Sequence, residues 1–227
     1  MIWDLSHTLA DYQPHFSTHT QYFRMMWNRL EDGDRSAHAQ LIMGEHSGTH
    51  VDAPCHFFSG ADSIDAIPLD RFMGPGRCID VTSVGPGRSV SREDIDQFEL
   101  GDEPIQSGDI VLFHFGFDVR WGIGASGKAY GQAWPGLSGE AADLLVERGV
   151  KAVGTDAISI DASGDPSSPA HHRLLGAGIV IYENLTGLQP LVGRRVRFFG
   201  LPLRIGQGTG SPVRAWAEGE ERARESL

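Results

Sequence analysis

Short apolar runs, separated by glycine and proline, dominate the pattern of this chain. Runs at residues 2–5, 39–43, 78–81, 109–115, 152–154, 178–182 and 196–201 are short enough to be strands. Several are nearly continuous in apolar residues, as in strands buried on both faces. The 29 glycines and 12 prolines fall between such runs as turn punctuation. Helices are better marked in two places, where Ser91 and Ser138 precede segments of helical apolar spacing and offer a hydroxyl oxygen to the free amides of a helix start. The second is predicted over 139–148, with Gly149 as its stop, and a third short helix over 169–175, stopped by Gly176.

These elements do not alternate as regular βαβ units. The pattern therefore predicts a single α/β domain with a mixed or barrel-like β-sheet core and helices packed outside, rather than a doubly wound sheet or a TIM barrel. With 227 residues one core is expected, over residues 1–217, and the alternating acids and bases of 218–227 read as a polar C-terminal tail.

Charge and composition narrow the partners. A formal net charge of −11 with no Lys/Arg cluster argues against binding a phosphate backbone, so no nucleic-acid partner is expected. The start, Met1-Ile2-Trp3-Asp4, lacks the basic region and apolar run of a signal peptide, and no apolar stretch approaches the ~20 residues of a membrane span. Cys55 and Cys78 are the only cysteines and form no CxxC pair, which fits a reducing compartment; a cytoplasmic protein with no membrane partner is expected.

The chemistry concentrates in residues 45–57, where His46, His50, Asp52 and His56 fall within eleven residues. Imidazole nitrogen and carboxylate oxygen are donors that zinc, manganese or iron accept. Any one of these histidines alone is more readily an ordinary loop residue, but four donors at this spacing are not. A helix is improbable across Gly48, Thr49, Val51 and Pro54, so the geometry must come from extended chain. On a strand His50 and Asp52 share a side with Cα atoms roughly 6–7 Å apart. His46 then needs a bend, which Gly48 permits, and the same parity turns His56 inward and Cys55 away. Glu45 is a candidate to orient a histidine, although a plain exposed charge is the simpler reading. No GxSxG elbow is present. The Gly206-Gln207-Gly208-Thr209-Gly210 stretch lacks the lysine of a phosphate loop.

The run His46-Ser47-Gly48-Thr49-His50-Val51-Asp52-Ala53-Pro54-Cys55-His56-Phe57 resembles the HxGTHxDxPxHF signature of the cyclase-like metal hydrolases, the family that includes bacterial kynurenine formamidase and isatin hydrolase. Also similar to family patterns are Pro135-Gly136-Leu137-Ser138, Gly154-Thr155-Asp156 with Ser159 and Asp161, and His171-His172-Arg173-Leu174-Leu175 leading to Ile181-Tyr182-Glu183-Asn184-Leu185. The resemblance implies a barrel-like mixed sheet and a homo-oligomer, dimer or tetramer, with a partner subunit near the active site. It also implies one or two divalent ions per subunit, zinc or manganese. His46, His50 and Asp52 would hold the first. Asp52 would bridge to a second held by His171 and Glu183, with His172 as the alternative to its neighbour.

The implied activity is hydrolysis of a C–N bond in a small aryl formamide or cyclic amide, and with it a place in tryptophan catabolism. A cyclase, lyase or lactone hydrolase acting on another small carbonyl compound is the alternative. Such an ion lowers the pKa of its water from 15.7 toward about 7. His56, with an unperturbed pKa near about 6.5, is the candidate for proton transfer. Phe57, Phe58 and Trp27 are candidates to stack on an aromatic substrate. Residues 11–27 depart from the Pro-Gly-Asp turn that many relatives carry, which leaves the metal chemistry intact and the substrate open.

Overall fold

The computed structural model describes residues 1–101 and 103–220. Strands β1 (Ile2–Asp4), β2 (Phe23–Asn28), β3 (His38–Ile42), β4 (His50–Asp52) and β5 (Met73–Asp80) come first, followed by the two-residue β6 (Ser89–Val90) and helix α1 (Arg92–Gly101). Then come β7 (Ile110–His114), β8 (Gly136–Leu137), α2 (Gly139–Arg148), β9 (Ala152–Thr155), α3 (Pro169–Gly176) and β10 (Val180–Glu183). The chain closes on β11 (Arg195–Phe199), β12 (Gly210–Pro212) and β13 (Trp216–Glu218).

Nine strands form one sheet in the order β1-β13-β11-β5-β7-β9-β10-β4-β12. Its centre, β5-β7-β9-β10, is parallel, and both flanks are antiparallel. Side chains alternate between two cores, as the period of a strand requires. On β7, Val111 and Phe113 join Leu144, Leu145, Leu174 and Leu175 of α2 and α3 on the outer face. Ile110 and Leu112 face the other way, toward Leu5, Leu188 and Leu191. That inner face closes on itself: Tyr182 of β10 and Phe198 of β11 have three strands between them in the sheet, yet their rings are 4.9 Å apart and the Tyr182 hydroxyl donates to Gly200 O at 2.9 Å. The sheet is thus curled into a half-barrel with its helices outside, as the pattern predicts.

Local signals explain the helices. Ser91 Oγ accepts Asp94 N while Asp94 Oδ2 accepts Ser91 N, a reciprocal cap on α1. Ser138 Oγ accepts Ala141 N, and Gly149 at φ 68° ends α2. Helix α3 runs one residue beyond its predicted end at 175 and takes in Gly176. Of the β2–β3 ribbon, β3 matches the run predicted at 39–43, but β2 escapes the sequence reading because the ribbon buries little: Met25, Trp27, Leu41 and Ile42 are exposed, so no inward face writes an alternation on β2. Glu218 belongs to β13 and pairs with Ile2 and Arg197, so ordered chain extends past the expected boundary at 217. Residues 221–227 of the expected tail lie outside the described residues.

The placement that matters for function is β4, wedged between β10 and β12. Val51 points to the inner core, so His50 and Asp52 point outward beneath α3. A slip of one residue would exchange them. Just beyond β1, His7 stacks on Trp121 at 4.0 Å, and its buried Nε2 has no hydrogen-bond partner among the described residues. Burial outweighs the pull of Asp118 and lowers its pKa to about 4.

Two outcomes are expected. Leu174→Ala, which removes a fully buried contact between α3 and the sheet, should destabilise the protein by about 2–5 kcal/mol, read as a lower urea midpoint at unchanged slope. Between pH 6.5 and about 4 the unfolded chain binds a proton that the folded His7 refuses, so its contribution to stability falls as pH drops through that window. The stability of His7→Phe relative to wild type should therefore rise on acidification across that window, and a pH-independent difference would refute this account.

Candidate metal centre and its cavity

The bend required to bring His46 back over β4 is present. Gly48 sits at φ 63°, where a Cβ would lie 2.5 Å from the Leu9 side chain. His46 packs over β12 at Gly210, where a Cβ would stand 2.7 Å from its Cε1. The 206–210 stretch thus makes room for an imidazole, and Thr209 at its end holds that ring.

Asp52 stands at the centre, 1% exposed, with its two oxygens facing different neighbours. Its Oδ1 lies 2.6 Å from His46 Nδ1 and 3.3 Å from His50 Nε2, and its Oδ2 lies 3.5 Å from His171 Nε2. Glu183, directly opposite His50 in the β4–β10 register, reaches His50 Nε2 with Oε2 (3.5 Å) and His171 Nε2 with Oε1 (3.3 Å). Two donor sets share Asp52: His46, His50 and Asp52, and Asp52, His171 and Glu183. His171 is buried among these groups, whereas His172 is exposed on the next position of α3, its Nδ1 against Ser168 O.

Hydrogen bonds on the far side of each ring decide which nitrogen faces inward. Thr209 Oγ1 donates to Glu45 Oε2 and accepts His46 Nε2–H at 3.0 Å, leaving the His46 Nδ1 lone pair toward Asp52. Glu45 therefore orients His46 through Thr209 rather than standing as a free charge. His50 Nδ1–H donates to Gly48 O at 2.8 Å, a carbonyl also held by Asn184 Nδ2. His171 Nδ1–H donates to Asp161 Oδ2 at 2.5 Å. Three inner imidazole nitrogens thus face two buried carboxylates: His46 Nδ1 is within hydrogen-bond distance of Asp52 Oδ1, whereas His50 Nε2 and Asp52 Oδ2 are buried without a hydrogen-bond partner among the described residues. Leaving such groups unpaired costs on the order of 1–3 kcal/mol each. A divalent cation satisfies both, so the donor set fits one. The same field acts on protons. Burial opposes charge on His171, but Asp161, Asp52 and Glu183 outweigh it and hold its pKa well above the usual value; burial of Asp52 is likewise overcome by His46, His171 and His50.

Beside the cluster lies a cavity of about 520 Å³ lined by Phe16, Thr18, His19, His46, His56, Phe57, Ser159, Ser168, His171, His172 and Glu183. His56, on the 3-10 turn Pro54–His56, faces this space with its ring 4.1 Å from that of His46. Burial lowers its pKa to about 4, so the ring is neutral at neutral pH. Phe57 stacks on His171 at 4.5 Å and forms a wall, but Phe58 packs into the outer core and Trp27 stands exposed on the β2–β3 ribbon, so neither lines the cavity. Cys55 points away, its Sγ against Gly208 O. Phe16 and His19, from the irregular segment before β2, supply the opposite wall; no spacing rule connects them to residues 46–57, and only the fold brings them there.

Comparison with known proteins follows the same line. The model of the Cyclase family matches residues 3–162. Kynurenine formamidase of Salinibacter ruber is 35% identical over 201 residues, covering 86% of this chain and 87% of its own length. Isatin hydrolase A from Labrenzia aggregata, solved with benzyl benzoate, superposes with a TM-score of 0.86 at 31% identity, over 96% of this chain and 93% of its own. A structure described as that of a predicted metal-dependent hydrolase from Bacillus stearothermophilus gives 0.77 at 25% identity, over 96% and 97%. With its histidine-aspartate signature folded into one buried donor cluster and its length matched nearly end to end by these relatives, the chain belongs to the Cyclase family.

Proposed function

We propose that this protein is a metal-dependent amidohydrolase that cleaves the C–N bond of a small aryl formamide or cyclic amide. The observation that carries this reading is the inward-facing set of three imidazoles and two carboxylates, with His50 Nε2 and Asp52 Oδ2 unpartnered among the described residues, beside a small aromatic-walled cavity. His46, His50 and Asp52 would hold one divalent cation, zinc or manganese, and Asp52, His171 and Glu183 would hold a second. When bound, the cation supplies water made acidic enough to act as hydroxide near neutral pH and polarises the substrate carbonyl.

His56 is neutral at that pH and faces the cavity, so it accepts the proton of the attacking water and returns it to the leaving nitrogen. The products are a carboxylate and an amine. Phe16 and Phe57 present flat apolar faces to an aromatic ring, and Ser159 and Ser168 offer hydroxyls to its polar substituents. The kynurenine formamidase and isatin hydrolase relatives support both substrate classes. The protein works as a homo-oligomer, a dimer or tetramer, joined through the β2–β3 ribbon, whose exposed Met25, Trp27, Leu41 and Ile42 need covering. It resides in the cytoplasm, where Cys55 and Cys78 stay thiols.

Two outcomes test this. His56→Ala should lower kcat toward N-formylkynurenine or isatin on the order of 10²–10⁴-fold while the metal content stays at the wild-type level; Asp52→Ala should lose metal and turnover together. Wild-type kcat in a metal-loaded His56→Ala protein would remove its role. In sedimentation, the double substitution Met25→Glu and Trp27→Glu should shift the protein to monomer, and an unchanged mass would place the interface elsewhere.

A further inference from the structure

Helix α3 carries His171 but begins without help from its own N-cap side chain. Ser168 stands at φ 45°, ψ 55°, and its hydroxyl makes no capping bond. The opening amides are taken by Asp161, on the connection that follows β9: Oδ1 accepts Ala170 N at 2.6 Å and Oδ2 accepts His171 N at 3.2 Å. The same Oδ2 accepts the Nδ1–H of the His171 ring. Asp161 is itself fixed, since it is 4% exposed, bridges to Leu137, and its carbonyl accepts the Trp134 indole N–H at 2.8 Å. One residue earlier, Ile160 N donates to Glu183 Oε1 at 2.8 Å, so two successive residues grip both of the donors that accompany Asp52.

We propose that Asp161 is a positioning residue for the second cation: it fixes His171 in the tautomer whose Nε2 lone pair faces Asp52 and Glu183, using the contact that also starts α3. A carboxylate only accepts, so the imidazole must present its hydrogen at Nδ1 and its lone pair at Nε2. It also makes the ring a stronger donor to a metal, as carboxylate–histidine pairs do. Because cap and orientation share Oδ2, the start of the helix and the aim of its histidine are set together. Nothing comparable holds His50, whose outer nitrogen meets a backbone carbonyl that a side-chain substitution leaves in place. The inference rests on the metal reading given above and assigns a role that reading does not require.

The test is Asp161→Asn in the full chain, with zinc as the probe. Asparagine is a good N-cap and keeps one acceptor oxygen, but its amide N–H₂ sets a donor against a donor at α3 whichever way it turns. Zinc titration of the wild type should give two ions per chain and move the His171 imidazole resonances in NMR. Asp161→Asn should bind the ion at His46, His50 and Asp52 with little change, and the second 10–100-fold more weakly, with the far-downfield Nδ1–H resonance of His171 lost. Asp161→Ala should show the same loss of the second ion with a lower melting temperature. Two ions bound at wild-type affinity by Asp161→Asn, with the His171 resonances unchanged, would overturn the inference and leave the metal reading standing. A wild type whose His171 resonances ignore zinc overturns it as well, and a wild type that takes up no cation removes the reading beneath it.

Discussion

Three pairs of residues between β4 and β10 hold the site together. Their antiparallel register sets His50 opposite Glu183 and Asp52 opposite Ile181, with Val51 anchored in the inner core. It turns two donors of one strand and one of the other onto the same face. Everything else approaches that face: His46 by the bend at Gly48, His171 from α3 above, His56 from the turn after Pro54. The site stands at the C-terminal end of β10, beside the connection that leaves β9, the position at which open parallel sheets present ligand sites.

Burying so many polar groups is destabilising unless they satisfy one another. Here the outer nitrogens of His46, His50 and His171 are all satisfied by the protein, through Thr209, Gly48 O and Asp161, while on the inner side His50 Nε2 and Asp52 Oδ2 have no hydrogen-bond partner among the described residues. The protein is built to leave a gap in its hydrogen bonding at one place only within this cluster, and the groups around that gap have the hardness and charge that a divalent ion takes. The carboxylates favour positive charge so strongly that protons compete for the same positions, which is why His50 and His171 are both shifted upward although burial alone would push them down.

The cavity wall has a different origin. Phe16, Thr18 and His19 come from an irregular segment that no strand or helix rule constrains. A second cleft of about 500 Å³ lies among Tyr12, Gln13, His15 and Lys128 on the preceding residues of that segment. The donor cluster on β4, β10 and α3 is thereby separated from a cavity wall carried by a loop, so the loop can change without disturbing the cluster.

The strands at 110–114, 152–155 and 180–183 and the helices after Ser91 and Ser138 were legible in the chain because apolar period and caps are local properties. So was the strand through His50 and Asp52, and so was the need for a bend at Gly48, since strand parity and glycine's freedom act over a few residues. Local sequence rules thus pointed to the segment that supplies His46, His50 and Asp52 to the buried donor cluster. Other choices belonged to the tertiary structure alone. That His171 rather than His172 faces Asp52 depends on the rotation of α3, set by Asp161 and by Leu174 and Leu175 in the outer core. That Phe57 and not Phe58 or Trp27 walls the cavity, and that Thr209 and Glu45 steady His46, depends on chain segments as many as 164 residues apart meeting in space. Local spacing contains no record of such meetings, because they are fixed by the curl of the sheet and the packing of its two cores.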